Sequence, residues 1–225
     1  LNKNLYEINY IEFEGVKSFN EEEIIEVIQT QSTSGNLPYR FFKSFFKEFE
    51  KNRATPKILM IQFKQGLDIF GEEVPFFNQK EIEESATSIE TFYQVNGLHF
   101  AKVNYSFYPS KDKQNNILKF SIKEGPQFYI DTIVYNGLEK VDNETLSKIE
   151  HSRSVKRDSK FNEEKITLEI QKITNILKNN GYFYASTQQP IVFIDTNSHK
   201  DSVIIKLDCG NRYRTGRIDF VDSTR

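Results

Sequence analysis

SIKEGPQFYIDTIVYNG, residues 121–137, sets two apolar strand-like runs head to tail, with only Glu124, Gly125 and Pro126 between them. The layout returns near the C-terminus as IKLDCGNRYRTGRIDF, residues 205–220. A chain that ends a strand on a glycine, restarts at once and then does so again is assembled from like units. Glycine admits backbone angles that other residues avoid, and proline stiffens the exit. Gly125, Pro126 and Gly210 are therefore read as inter-module seams, almost without linker.

The helix starts carry the same message. Four stretches share one signature: Phe19-Asn20 ahead of Ile24, Phe77-Asn78 ahead of Ile82, Val141-Asp142 ahead of Leu146, and Phe161-Asn162 ahead of Ile166. In each, Asn or Asp stands where a side-chain oxygen can accept an orphan backbone N–H. An apolar residue precedes it and another follows four positions on, which is a hydrophobic staple. Acidic residues such as Glu21, Glu22, Glu23, Glu163 and Glu164 fill the first turns, where the helix dipole favours them. Capping explains the Glu21–Glu23 cluster without any metal or acid–base chemistry.

Fixed offsets link the copies. Ile11, Phe13, Gly15 and Asn20 lie 122 residues before Ile133, Tyr135, Gly137 and Asp142. Ile82, Ala86, Ile89, Tyr93 and Gly97 lie 84 before Ile166, Ile170, Ile173, Leu177 and Gly181, one apolar helix face with a glycine stop. Leu118, Phe120, Ile122 and Gly125 lie 85 before Val203, Ile205, Leu207 and Gly210. Strands show a period of two: Ala101, Val103, Tyr105 and Phe107 share one side, Lys102, Asn104 and Ser106 the other. The unit is strand, helix, helix, strand, strand, present twice. The fold class is α+β, with a helix pair on one face of a small sheet. The expected modules are residues 5–125, carrying a large insertion at 32–77, and 126–212. Residues 213–225 would begin a third, with an unpartnered strand at Tyr213–Val221.

Composition agrees with small units. Only 37% of the 225 residues are hydrophobic and 28% are charged, which suits domains with much surface. A net charge of −2 gives no global field for nucleic acid. The longest purely aliphatic run, Ile58–Ile61, is far short of the roughly 20 residues of a membrane-spanning helix. No initiator methionine precedes Leu1, so the sequence reads as an excerpt or a processed chain. Cys209 is the single cysteine, which excludes an intrachain disulfide and a Cys-x-x-Cys metal site. His99, His151 and His199 stand far apart, and no phosphate loop, HExxH motif or nucleophile elbow is present. No catalytic residue, metal or cofactor is expected.

Two patterns resemble a known family. Glu124-Gly125-Pro126 followed by Phe128, Ile130 and Ile133 resembles the module-closing motif of POTRA domains. So do Asn96-Gly97-Leu98 and Asn180-Gly181-Tyr182, each ahead of a strand near Ala101 or Ala185. POTRA domains form the periplasmic arm of BamA-type outer-membrane assembly factors in Gram-negative bacteria. The resemblance implies a mixed three-stranded sheet in each module and a parent protein with a membrane β-barrel. It implies a non-enzymatic arm that binds unfolded outer-membrane protein segments and accessory lipoproteins. The second module departs from the pattern, with Asp208-Cys209-Gly210-Asn211 in place of Lys123-Glu124-Gly125-Pro126, so its exit is expected to bend more freely.

The binding mode implied is β-augmentation, in which an extended guest pairs with an exposed sheet edge. The edges would be strands at about 100–108 and 184–194, giving Ala101, Val103, Tyr105, Phe107, Ile191 and Phe193 as edge residues. The competing reading is a protected edge, with Lys102 as the guard. Within the insertion, Phe42, Phe45, Phe46 and Phe49 fall at helical spacing among Arg40, Lys43 and Lys47. They form either a partner- or membrane-facing helix or an enlargement of the module's own core. Other functions weighed are a two-partner secretion or TamA-type arm, a small α+β nucleic-acid module, a periplasmic enzyme and a passive spacer.

Overall fold

The computed structural model describes residues 8–31, 79–111, 116–214 and 216. The chain divides after Pro126 into two compact units, Leu1–Pro126 and Gln127–Arg225. The first holds β1 (Tyr10–Glu14), α1 (Glu21–Gln31), α2 (Gln79–Val95), β2 (Lys102–Tyr108) and β3 (Ile117–Lys123). The second holds β4 (Tyr129–Asn136), α3 (Asn143–Ser152), α4 (Glu163–Asn179), β5 (Ser186–Thr187), β6 (Ile191–Asp195) and β7 (Lys200–Asp208). Among the described residues each unit is an α+β layer, a small mixed sheet with two helices.

Helix starts follow the sequence signals. At α1, Asn20 Oδ1 accepts the Glu23 N–H at 2.8 Å and Glu23 returns the favour to the Asn20 N–H at 2.9 Å, a reciprocal capping box. Asp142 accepts the Thr145 N–H at 3.1 Å and its hydroxyl at 2.8 Å. Asn162 accepts the Lys165 N–H at 2.8 Å. The fourth expected cap, Asn78, lies outside the described residues. At the other end, Leu98 N–H bonds Tyr93 C=O and Gly97 N–H bonds Gln94 C=O. Tyr182 and Gly181 repeat the pattern on Leu177 and Lys178. Both long helices thus close with the same paired bonds to their last carbonyls.

The sheets are mixed. In the first, β3 is central, parallel to β1 and antiparallel to β2. In the second, β7 is central, parallel to β4 and antiparallel to β5 and β6. The third strand expected at 184–194 is split. Thr187 faces Leu207, but Ile191 faces Ile204, so this side has one more residue than its partner. Pro190 sits in the irregular stretch and has no N–H to give the ladder.

Each unit has its own core. Ile24, Ile25, Ile89, Tyr93, Phe120 and Leu98 are almost fully enclosed in the first. Phe19 packs against Phe92 and Tyr93 at ring distances of 4.7 and 5.2 Å, anchoring the start of α1 to α2. Ile130, Ile149, Ile173, Leu177, Val203 and Ile205 close the second. Burial of each such side chain contributes about 1.5–3 kcal/mol.

The two units also share a backbone crossing that only glycine allows. Gly15 (φ +86°) and Gly137 (φ +95°) end β1 and β4. A Cβ at Gly15 would lie 2.1 Å from the Ile122 carbonyl oxygen, and one at Gly137 1.8 Å from that of Leu207. The 122- and 85-residue sequence offsets therefore superimpose the same close approach of first strand on last.

The exit after Gly210 was expected to bend freely, and its backbone is instead anchored. Arg212 Nε donates to the Asn180 carbonyl at 3.0 Å, its guanidinium pairs with Asp142 at 3.1 Å, and the Tyr213 N–H bonds the Gly181 carbonyl at 2.8 Å. A side chain two residues past the seam does what proline does in the first unit. The strand expected at Tyr213–Val221 lies mostly outside the described residues.

Candidate functional site

The sequence places its edge residues on two strands, and among the described residues β2 lies at the rim of the first sheet in the order β1-β3-β2. Val103, Tyr105 and Phe107 are half-buried and pack towards the helices, while Lys102, Asn104, Ser106 and Tyr108 are exposed. Ala101 differs from expectation. It precedes the strand, is fully buried, and its N–H bonds the Leu98 carbonyl, so it shapes the entry to β2 rather than its rim.

The Val103 N–H donates outside the sheet, to Glu90 Oε2 3.1 Å away on α2. In an antiparallel pair, backbone groups alternate between the neighbour strand and the open side. The N–H and C=O groups of Tyr105 and Phe107 therefore point outward along with those of Val103. Beside this rim, α2 and β2 enclose a groove of about 310 Å³ lined by Glu83, Ala86, Thr87, Glu90, Val103 and Tyr105. Glu83 accepts the Tyr105 hydroxyl at 3.2 Å. Glu90 also takes Lys102 Nζ at 2.8 Å and Gln94 Nε2 at 3.3 Å. The Lys102 ammonium, with these hydrogen bonds, holds the Glu90 carboxyl below the usual carboxylate range against the opposing effect of burial. Lys102, the expected guard, acts through this glutamate.

In the second unit, one rim is covered by the unit's own chain. The segment joining α3 to α4 runs along β4, with Ile130 N–H to Ser159 C=O at 2.8 Å and Phe161 N–H to Phe128 C=O at 3.1 Å. The opposite rim is β5 and β6. Ile191 and Phe193 are exposed and Val192 faces the core, so the two predicted edge residues lie on the side away from the helices. A groove of about 530 Å³ runs between α4 and this rim, lined by Ile166, Ile170, Gln171, Thr187, Pro190 and Val192. The two grooves occupy equivalent places, helix two against strand two.

The seam residues also fall into roles. Gly125 and Gly210 take φ of +75° and +61°. The adjacent Glu124 is buried and accepts the Lys17 N–H (2.7 Å), the Ser18 N–H (2.9 Å) and the Ser18 hydroxyl (2.6 Å), tying the β1–α1 loop to the end of β3. Cys209 stands in the corresponding place. Its thiol donates to the Gly137 carbonyl at 3.1 Å, and burial raises its pKa, which makes it a neutral tie rather than a nucleophile. Among the described residues no group of three or more His, Cys, Asp or Glu is placed to hold a metal ion. Phe42, Phe45, Phe46 and Phe49 lie outside the described residues.

The sequence reading missed Glu83 and Glu90, because charges on an amphipathic helix ordinarily read as its solvated face. It also missed Glu169, which is fully buried on α4 and accepts the Ser154 and Val155 N–H groups at 2.5 and 2.6 Å, the Ser154 hydroxyl at 3.0 Å and the Tyr135 hydroxyl. Its signal was present, since Glu169 falls three residues after Ile166 on the apolar stripe.

Comparison with known proteins agrees with this architecture. The family model for POTRA, described as a surface antigen variable number repeat, matches residues 6–125 and again 128–209. The chain belongs to the POTRA family. It is similar to the outer membrane protein assembly factor BamA of Neisseria meningitidis serogroup B, 23% identical over 171 residues, which are 72% of this chain and 21% of that protein. It thus spans about a fifth of the relative's length. Among solved structures, POTRA domains 3–5 of Haemophilus influenzae BamA match 93% of this chain and 68% of theirs, at 14% identity and a TM-score of 0.47. The N-terminal domain of Omp85 from Thermosynechococcus elongatus matches 92% and 63%, at 14% identity and 0.42.

Proposed function

We propose that this chain is the non-enzymatic periplasmic arm of an outer-membrane protein assembly factor, and that it guides unfolded barrel segments by β-augmentation. Family membership supports the class. The observation that carries the binding mode is β2, a seven-residue rim strand with outward-facing main-chain groups at Val103, Tyr105 and Phe107, flanked by a groove. Main-chain pairing tolerates many guest sequences, which suits clients that share a strand-forming habit and little else. The arm is organised as modules at 5–125 and 126–212, with a third begun at 213–225. Accessory lipoproteins of the assembly complex are further partners, and the parent protein carries the membrane barrel.

The test is Tyr105→Pro, which removes an outward N–H at the centre of β2. Photo-crosslinking of an unfolded barrel peptide to β2 should drop at least about tenfold, with the second unit still folded by circular dichroism and thermal melting. Undiminished crosslinking would overturn β-augmentation at this rim.

A further inference from the structure

The β2 rim is not bare. Among its outward main-chain groups, the Val103 N–H is already bonded to a side chain of the same unit, the Glu90 carboxylate at 3.1 Å. That carboxylate is only about a quarter exposed and is steadied by Lys102 Nζ at 2.8 Å and Gln94 Nε2 at 3.3 Å. Its helix stands across the groove, so the bond spans from α2 to the strand. An arriving strand that pairs along β2 presents a carbonyl to the same N–H. One donor hydrogen cannot serve both acceptors well, and the carboxylate is the stronger of the two.

We propose that Glu90 is a removable cap on the β2 rim, holding the Val103 N–H until the carbonyl of an incoming strand takes its place. This deepens the β-augmentation reading above and rests on it. The cap does two things at once. It satisfies a rim donor in the empty protein, which discourages rim-to-rim association of copies. It also subtracts from the affinity of any guest by the bond it must give up, which keeps the guest exchangeable, as a carrier of many clients requires. Once displaced, Glu90 remains paired with Lys102 at the groove mouth, so no buried charge is stranded. The second unit differs at the equivalent place. The residue 84 positions after Glu90 is Thr174, whose hydroxyl donates back to the Ile170 carbonyl of its own helix. There the rim is interrupted by the Pro190 irregularity instead.

The test uses the whole chain and its Glu90→Ala variant, with Glu90→Gln as a second variant that keeps the side-chain volume and one acceptor oxygen. Two readouts are needed: amide hydrogen exchange at Val103 in the free protein, and binding of a blocked fluorescent peptide alternating threonine with valine and phenylalanine. Glu90→Ala should speed Val103 exchange by about tenfold or more and tighten peptide binding by roughly tenfold, with Glu90→Gln intermediate. Unchanged Val103 exchange, or equal peptide affinity in all three proteins, overturns the cap. Faster exchange with no peptide binding to β2 in any protein instead overturns the rim-pairing reading itself.

Discussion

Single residues carry most of the constraint where strands cross and loops are tied. Gly137 is held at a positive φ with the Leu207 carbonyl oxygen where its Cβ would be. Gly137→Ala should cost the second unit about 2–4 kcal/mol in urea unfolding, combining left-handed strain with forced backbone displacement. Glu124 and Glu169 are loop ties of another kind. Burial alone would raise both carboxyls, yet hydrogen bonds outweigh it: for Glu124 those from Ser18 and Lys17, for Glu169 those from Tyr135, Val155 and Ser154. Both pKa values are therefore depressed in the folded state. A depressed carboxyl stabilises the fold fully above its unfolded pKa, near 4.3, and the contribution disappears as pH falls through the folded value. Acidification from pH 5 towards pH 3 should accordingly lower the melting temperature, and Glu169→Gln should flatten part of that slope while costing about 2 kcal/mol at neutral pH. A slope identical to that of the unsubstituted protein would contradict the role assigned to Glu169. The glycine was visible in the sequence, because its offset partner Gly15 repeats the pattern. The glutamate's task was not, because its ligands come from a loop 14 and 15 residues away whose fold no periodicity encodes.

At the level of elements, helix ends were legible and strand rims were not. An Asn or Asp cap with its staple is a local pattern, and Asn20, Asp142 and Asn162 all cap as their neighbours dictate. Asn162 accepts the Lys165 N–H at the start of α4, and Asp142, besides capping α3, pairs with Arg212 and takes the Tyr182 hydroxyl at 3.3 Å. Asp142→Ala, which loses both the cap and the Arg212 pair, should lower the denaturation midpoint further than Asp142→Asn, which keeps the cap and loses the charge, and equal shifts would argue that the cap bond is inconsequential. Alternation gave strand β2 and the side each residue faces, while its place at a rim came only from the POTRA resemblance. It gave no hint that Ala101 turns into the core, since a small residue fits either a strand or a tight entry turn. Pro190 was the one available sign that the second rim is irregular, and a proline within a strand pattern is best read as that warning.

The molecule as a whole follows from repetition. Two cores, each drawn from residues of one unit, imply that damage to one need not spread. Differential scanning calorimetry should resolve two transitions, with Gly137→Ala lowering one by several degrees and leaving the other in place; a single transition shifted as a block would contradict this. The offsets of 122, 84 and 85 residues made the duplication readable, since equivalent cores demand equivalent apolar positions. What departs from repetition was not readable: Arg212 has no arginine counterpart 85 residues earlier, where Gln127 stands. Yet that side chain governs how the second unit responds to being tugged. Force applied at Arg214 meets the Tyr213 amide and the Arg212 guanidinium first, seated on the Gly181 and Asn180 carbonyls just past the end of α4. The load enters through a helix end and an ion pair with Asp142, and the β7 ladder is spared from unzipping until those fastenings give way.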